Sequence, residues 1–128
     1  MENPKRNNLY LSDIVTGVFS SLALRDITRI SAEHNLIDQS FEGLSALIEE
    51  EAKRNQLNVR FRIKTHPIHG DSPELQNELL CAMQRQLMTY ESPKTFRIKI
   101  SPEEARGYLE NVPGDKQMYE RLSRELMR

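Results

Sequence analysis

Leu57-Asn58-Val59-Arg60-Phe61-Arg62-Ile63-Lys64 sets apolar and polar side chains in strict alternation. Successive residues of a strand point to opposite faces, so this stretch predicts a strand with one apolar face and one basic face. Its second half, Phe61-Arg62-Ile63-Lys64, returns as Phe96-Arg97-Ile98-Lys99, which with Ile100 predicts a second strand. Each is followed by Ser-Pro-Glu, at Ser72 and at Ser101. Serine as N-cap, proline at the first helical position and glutamate at the positive end of the dipole together start a helix. At Ser101 the signal is stronger, because Glu104 completes a capping box. The echo reads either as a duplicated strand-helix unit or as a chance match of good strand and good helix-start composition.

Working outward, the period changes from two to about 3.6 on either side of these strands. Val15, Val18, Phe19, Leu22, Ala23, Ile27 and Ile30 predict a long helix over 13–34, capped by Ser12 and bent near Gly17 or Ser20. Phe41, Leu44, Leu47, Ile48 and Ala52 predict a second over 39–54, with Glu49, Glu50 and Glu51 partly outward. Residues 65–71, with Pro67 and Gly70, read as loop. From Pro73 the apolar positions Leu75, Leu79, Leu80, Met83, Leu87 and Tyr90 predict one helix reaching the second strand. A helix from Pro102 to about Asn111 follows, and Asp115 caps a last one built on Met118, Leu122 and Leu126.

The fold class expected from this order is α+β. An N-terminal helical pair precedes a β-α-β-α-α segment in a two-layer domain over 9–128, with 1–8 as a flexible arm. A helical crossover between the two strands implies that they run parallel and right-handed. Two strands are too few for a stable sheet, so a third is expected, either from Leu9 to Leu11 or from a second copy across a two-fold axis. An edge this exposed favours the homodimer.

Composition bounds the function. The chain has 128 residues and 14.9 kDa, with 18 Lys and Arg against 19 Asp and Glu. Basic and acidic residues are evenly spread between the two halves, so no charged tail supplies a field strong enough to hold nucleic acid or an anionic membrane unaided. A hydrophobic share of 38% against 29% charged residues implies a modest core under amphipathic helices. The lone Cys81 can form no internal disulfide and reads as a buried, inert thiol, which fits a cytoplasmic protein. Neither a secretory signal nor a membrane span is expected.

Two clusters could carry chemistry. If the strands pair, Arg60, Arg62, Lys64, Arg97 and Lys99 share one sheet face, and like charges across strands need compensation. That compensation is either internal, from Glu49 to Glu51 or the acidic first turns of the helices, or external, from an anionic partner. No aromatic residue interleaves with these cations, so any nucleic-acid contact would be weak and phosphate-led. His66, His69 and Asp71 form the other cluster, a His-x-x-His-x-Asp loop that could hold zinc or iron with open positions and so serve a metal-dependent enzyme. No phosphate-binding loop, dinucleotide fingerprint, paired-cysteine zinc motif or serine elbow is present, and no cofactor is implied. The expected function is therefore a non-enzymatic accessory or regulatory protein that binds a protein partner or itself, with nucleic-acid binding through the basic face as the alternative.

Overall fold

A computed structural model describes residues 7–127. The predicted arm 1–8 thus falls mostly outside the described residues, and its last member, Asn8, belongs to strand β1 (Asn8–Leu9). Helix α1 (Leu11–Leu24) is the centre of the molecule. Eleven consecutive residues from Asp13 to Ala23 are buried, because α5 (Pro102–Asn111), α6 (Lys116–Leu126) and α4 (Pro73–Gln84) pack around it. A helix enclosed on all sides needs close approach somewhere, and Gly17 supplies it. A Cβ there would sit 2.3 Å from ring carbons of Tyr119. The Tyr119 hydroxyl donates to the Pro113 carbonyl, which satisfies its one buried polar atom.

Helix α1 is shorter than its periodicity predicted. Leu24 ends it, Asp26 adopts φ 60°, and the chain turns into strand β2 (Arg29–Ser31). Ile27 and Ile30 continued the three- and four-residue spacing by coincidence, because an inward strand residue after a tight turn can fall in the same register. A 3-10 turn (Glu33–Asn35) leads to α2 (Leu36–Glu42), which Gly43 and Leu44 separate from α3 (Ser45–Arg54). The predicted helix 39–54 is therefore broken in two.

Two small sheets replace the single one expected. Strand β3 is only Asn58–Val59 and pairs in parallel with β1. Strands β4 (Met88–Ser92) and β5 (Thr95–Ile98) form an antiparallel hairpin, and β2 closes the order β2-β5-β4. The parallel crossover between the two alternating stretches is thus not made. The predicted helix from Pro73 stops at Gln84, and Gln86 at φ 64° turns the chain so that Met88 to Tyr90 enter the sheet rather than a fifth helical turn. Ladder hydrogen bonds to β5 outweigh a helical spacing that had only two more apolar residues to support it.

The helix starts behave as predicted. The Ser72 hydroxyl accepts from the Leu75 N–H, Ser101 and Glu104 form the reciprocal capping box, and Asp115 accepts from the Met118 N–H at 2.8 Å. At α1 the cap is Tyr10 rather than Ser12, and its N–H donates to Asp13 Oδ2 at 2.9 Å. The result is an α+β architecture in which one contiguous apolar cluster runs from Leu9 to Leu126. Among the described residues no helix is long and apolar enough to cross a membrane.

Candidate functional site

The site grows from the centre of the three-stranded sheet. Along β5, Phe96 and Ile98 are buried, so Arg97 projects from the opposite face. Its register partners are Arg29 on β2 and Thr89 on β4, which places two guanidinium groups side by side. Like charges in that position destabilise a sheet. Glu91, also on β4, reaches across to Arg29 with two hydrogen bonds of 2.7 and 3.0 Å. This fork holds the Glu91 carboxyl below the usual carboxylate range, with the Arg29 hydrogen bonds as the main cause and Arg97 adding a second positive charge. The same contact raises the Arg29 guanidinium.

Arg29 therefore holds Glu91 in a direct ion pair, while Arg97 feels the same carboxylate only at longer range. Among the described residues neither Arg97 nor Lys99 takes part in an ion pair or a side-chain hydrogen bond. Both line an open groove of about 510 Å³ together with Thr89, Ile98, Ile100 and Ser101. The Ser101 N–H and hydroxyl are committed to the α5 capping box, at 3.0 and 3.1 Å. The groove thus offers two cations and the Thr89 hydroxyl around a floor of isoleucine.

The other three basic residues stand apart from this sheet. Arg60, Arg62 and Lys64 follow β3 in a segment without regular secondary structure, where the Arg60 N–H still donates to the Leu9 carbonyl at 2.9 Å. Arg60 donates to Asn8 Oδ1 at 3.0 Å, and Arg62 shares a hollow of about 340 Å³ with Glu49 on α3. The common basic face of Arg60, Arg62, Lys64, Arg97 and Lys99 does not form, since the two alternating stretches belong to different sheets. The acidic run is also divided. Glu51 points inward, 1% exposed, where Arg121 holds it with bonds of 2.7 and 2.9 Å. Glu50 meets Arg54 at 4.0 Å on the surface, one turn further along the same helix.

Among the described residues no three His, Cys, Asp or Glu side chains converge as a metal site would require. His66 and His69 stack with ring centroids 4.7 Å apart, but His66 Nδ1 accepts from the Ile68 and His69 N–H groups at 3.1 and 3.2 Å. Asp71 contributes its backbone carbonyl to the His66 N–H at 2.7 Å. The His66 ring nitrogen and the loop backbone thus satisfy each other. Cys81, expected buried, is partly exposed on α4.

Carboxylates of α2 hold the rest of this loop. Glu42 accepts from the N–H and hydroxyl of Thr65 at 2.8 and 3.0 Å. Asp38, fully buried, accepts from the Ser72 N–H at 2.7 Å and from the Gln76 amide at 2.8 Å. Sequence reasoning missed Asp38, Glu42, Arg29, Thr89 and Glu91. A usable signal existed for Asp38 alone, which follows Ile37 on the inward side of a short helix. Arg29 and Thr89 lay in stretches whose spacing mimicked helix. No protein-family model, curated protein or solved structure matches the chain.

Proposed function

We propose that this protein is a non-enzymatic binding module whose Arg97–Lys99 groove takes an acidic segment of a partner protein. One observation carries the reading. Arg97 and Lys99 stand unpaired in an open groove, while their neighbour Arg29 is neutralised by Glu91. Two exposed cations without a direct ion-pair partner, next to a hydroxyl, match a pair of carboxylates from an extended acidic peptide. An acidic protein segment fits better than nucleic acid on one ground. The one aromatic cluster of the sheet, Tyr90 against Phe96 with centroids 4.7 Å apart, involves a buried ring on the core face and gives the cations no stacking platform.

Fluorescence anisotropy with a labelled glutamate-rich peptide at low ionic strength tests the reading. Arg97→Glu with Lys99→Glu is expected to weaken binding at least about tenfold, roughly 1.4 kcal/mol. Binding should also weaken as salt rises, because both cations are exposed. Equal binding by wild type and double variant, or binding of an oligonucleotide in preference to the peptide, would overturn it.

A further inference from the structure

The three-stranded sheet has two outer edges, and they differ. On the β4 side the edge begins at Met88, which is 1% exposed, and a bulge between Tyr90 and Ser92 interrupts the strand. That edge is covered at one end and bent at the other, two ordinary ways of blocking further pairing. On the β2 side the backbone is regular. The Ile98 N–H donates to the Thr28 carbonyl at 2.7 Å, and the Ala32 N–H donates to the Lys94 carbonyl at 2.8 Å. Groups facing β5 therefore come from Thr28, Ile30 and Ala32. By alternation the N–H and C=O of Arg29 and Ser31 face away from the sheet. Both residues are exposed, and among the described residues no hydrogen bond uses these groups.

Next to this edge lies a groove of about 230 Å³ lined by Ile30, Leu36, Ile37, Leu126 and Met127 together with the serines Ser31 and Ser40. Leu36 is 50% and Met127 40% exposed, so apolar surface sits next to unpaired strand groups. A strand that docks here would satisfy the backbone and cover the groove in one step.

We propose that the occupant is the β2 strand of a second copy of this chain, antiparallel across a two-fold axis at Ile30. In that register Arg29 lies opposite the second copy's Ser31, and the outward groups of both residues exchange four hydrogen bonds. Ile30 meets its own counterpart as the close, non-hydrogen-bonded pair, with Cα atoms about 4.5 Å apart. All three residues of each strand are used. Moving the axis to Arg29 would set two guanidinium groups against each other, whereas the axis at Ile30 opposes no like charges. Self-complementarity points to a second copy, since a two-fold axis brings each groove's Leu36 and Met127 towards the other. Arg29 stays with Glu91 and needs no acidic partner. The product is a continuous sheet in the order β4-β5-β2-β2-β5-β4, carrying an Arg97–Lys99 groove in each half. A partner with two acidic segments would then be held bivalently.

Light scattering on a sizing column tests this with the intact chain. Wild type is expected at twice the 14.9 kDa chain mass. Ser31→Pro removes an outward N–H that β5 does not use, and Met127→Glu puts a charge into the groove of each copy. Each should give a monomer with unchanged far-ultraviolet circular dichroism, its self-association weakened at least about tenfold. Should Ser31→Pro fail to fold, Met127→Glu carries the same reading. Ile30→Cys in a Cys81→Ser background should cross-link on oxidation, because a Cα separation of about 4.5 Å lies within disulfide range. A wild-type monomer at every concentration, a dimer that survives both edge variants, or a folded Ile30→Cys dimer that does not cross-link would overturn the proposal. Arg97→Glu with Lys99→Glu leaves the mass unchanged, so loss of peptide binding and loss of the dimer are read separately.

Discussion

Phe61-Arg62-Ile63-Lys64 and Phe96-Arg97-Ile98-Lys99 are the same four residues in two different structural fates. The second copy runs into the middle strand of an antiparallel sheet, where Phe96 is 2% and Ile98 3% exposed. The first lies beyond a two-residue parallel strand, with Phe61 only half-buried and no ladder around it. Local propensity is identical, so context decides. The second copy follows Ser92-Pro93-Lys94, a turn that folds it back on β4. The first has no preceding hairpin. Its backbone ends on side chains instead, with Glu42 taking Thr65 and Asp38 taking Ser72. One copy is held by a ladder, the other by carboxylates of α2.

The largest expected difference is in the core. Phe96→Ala should cost about 4 kcal/mol, while Phe61→Ala, whose ring is partly in water already, should cost about 1 to 2 kcal/mol. Urea unfolding of both variants measures this, and equal costs would break the comparison. Next comes the carboxylate clamp. Asp38→Ala leaves the Ser72 amide and Gln76 without their acceptor in a buried setting, an expected loss of about 3 kcal/mol. Amide exchange locates the effect. Residues 65–72 should lose protection at least about a hundredfold more than Ile98 and Lys99, whose N–H groups are held by the sheet. Uniform loss across both copies would mean that the two are one cooperative unit.

The sheet and the clamp were unequally legible in the sequence. Helix starts at Ser72, Ser101 and Asp115 were readable because a cap is a local hydrogen bond between residues three apart. The β4–β5 pairing was not, since Leu87 and Tyr90 continued a helical spacing and only the partner strand shows where they belong. The five basic residues are exposed, and Arg97 and Lys99 line one groove. Their supposed union with Arg60, Arg62 and Lys64 depended on strand pairing, a long-range property that alternation alone cannot specify. Glu51 shows the same limit in miniature. It sits in a run of three acids, yet its position three residues after Ile48 turns it inward, and only Arg121, 70 positions away, makes that burial tolerable.

Charge reversal separates the two copies at intermediate size. Arg97→Glu alone should weaken acidic-peptide binding about threefold to fivefold, under 1 kcal/mol, whereas Arg62→Glu should leave it unchanged. Anisotropy titrations of the two variants are compared directly. An equal loss would mean that the peptide spans both basic segments, and the groove would no longer be the site.

The smallest effect concerns how the sheet tolerates its own cations. Glu91 is a carboxylate whose folded value lies below its unfolded one, because Arg29 forks onto it. Such a group stabilises the folded state fully above the usual carboxylate range and loses that contribution as pH falls through the depressed folded value. Glu91→Gln should therefore lower Tm slightly at neutral pH, and the gap to wild type should close in acid as Glu91 itself protonates. Added salt should narrow it too, since Arg29 and Glu91 are both exposed to solvent. Lys64→Gln in the first copy, where no ion pair is broken among the described residues, should show no such closure. A Glu91→Gln gap that persists at low pH would place the stabilising role of Glu91 outside its charge, and the Arg29–Arg97 juxtaposition would need another source of compensation.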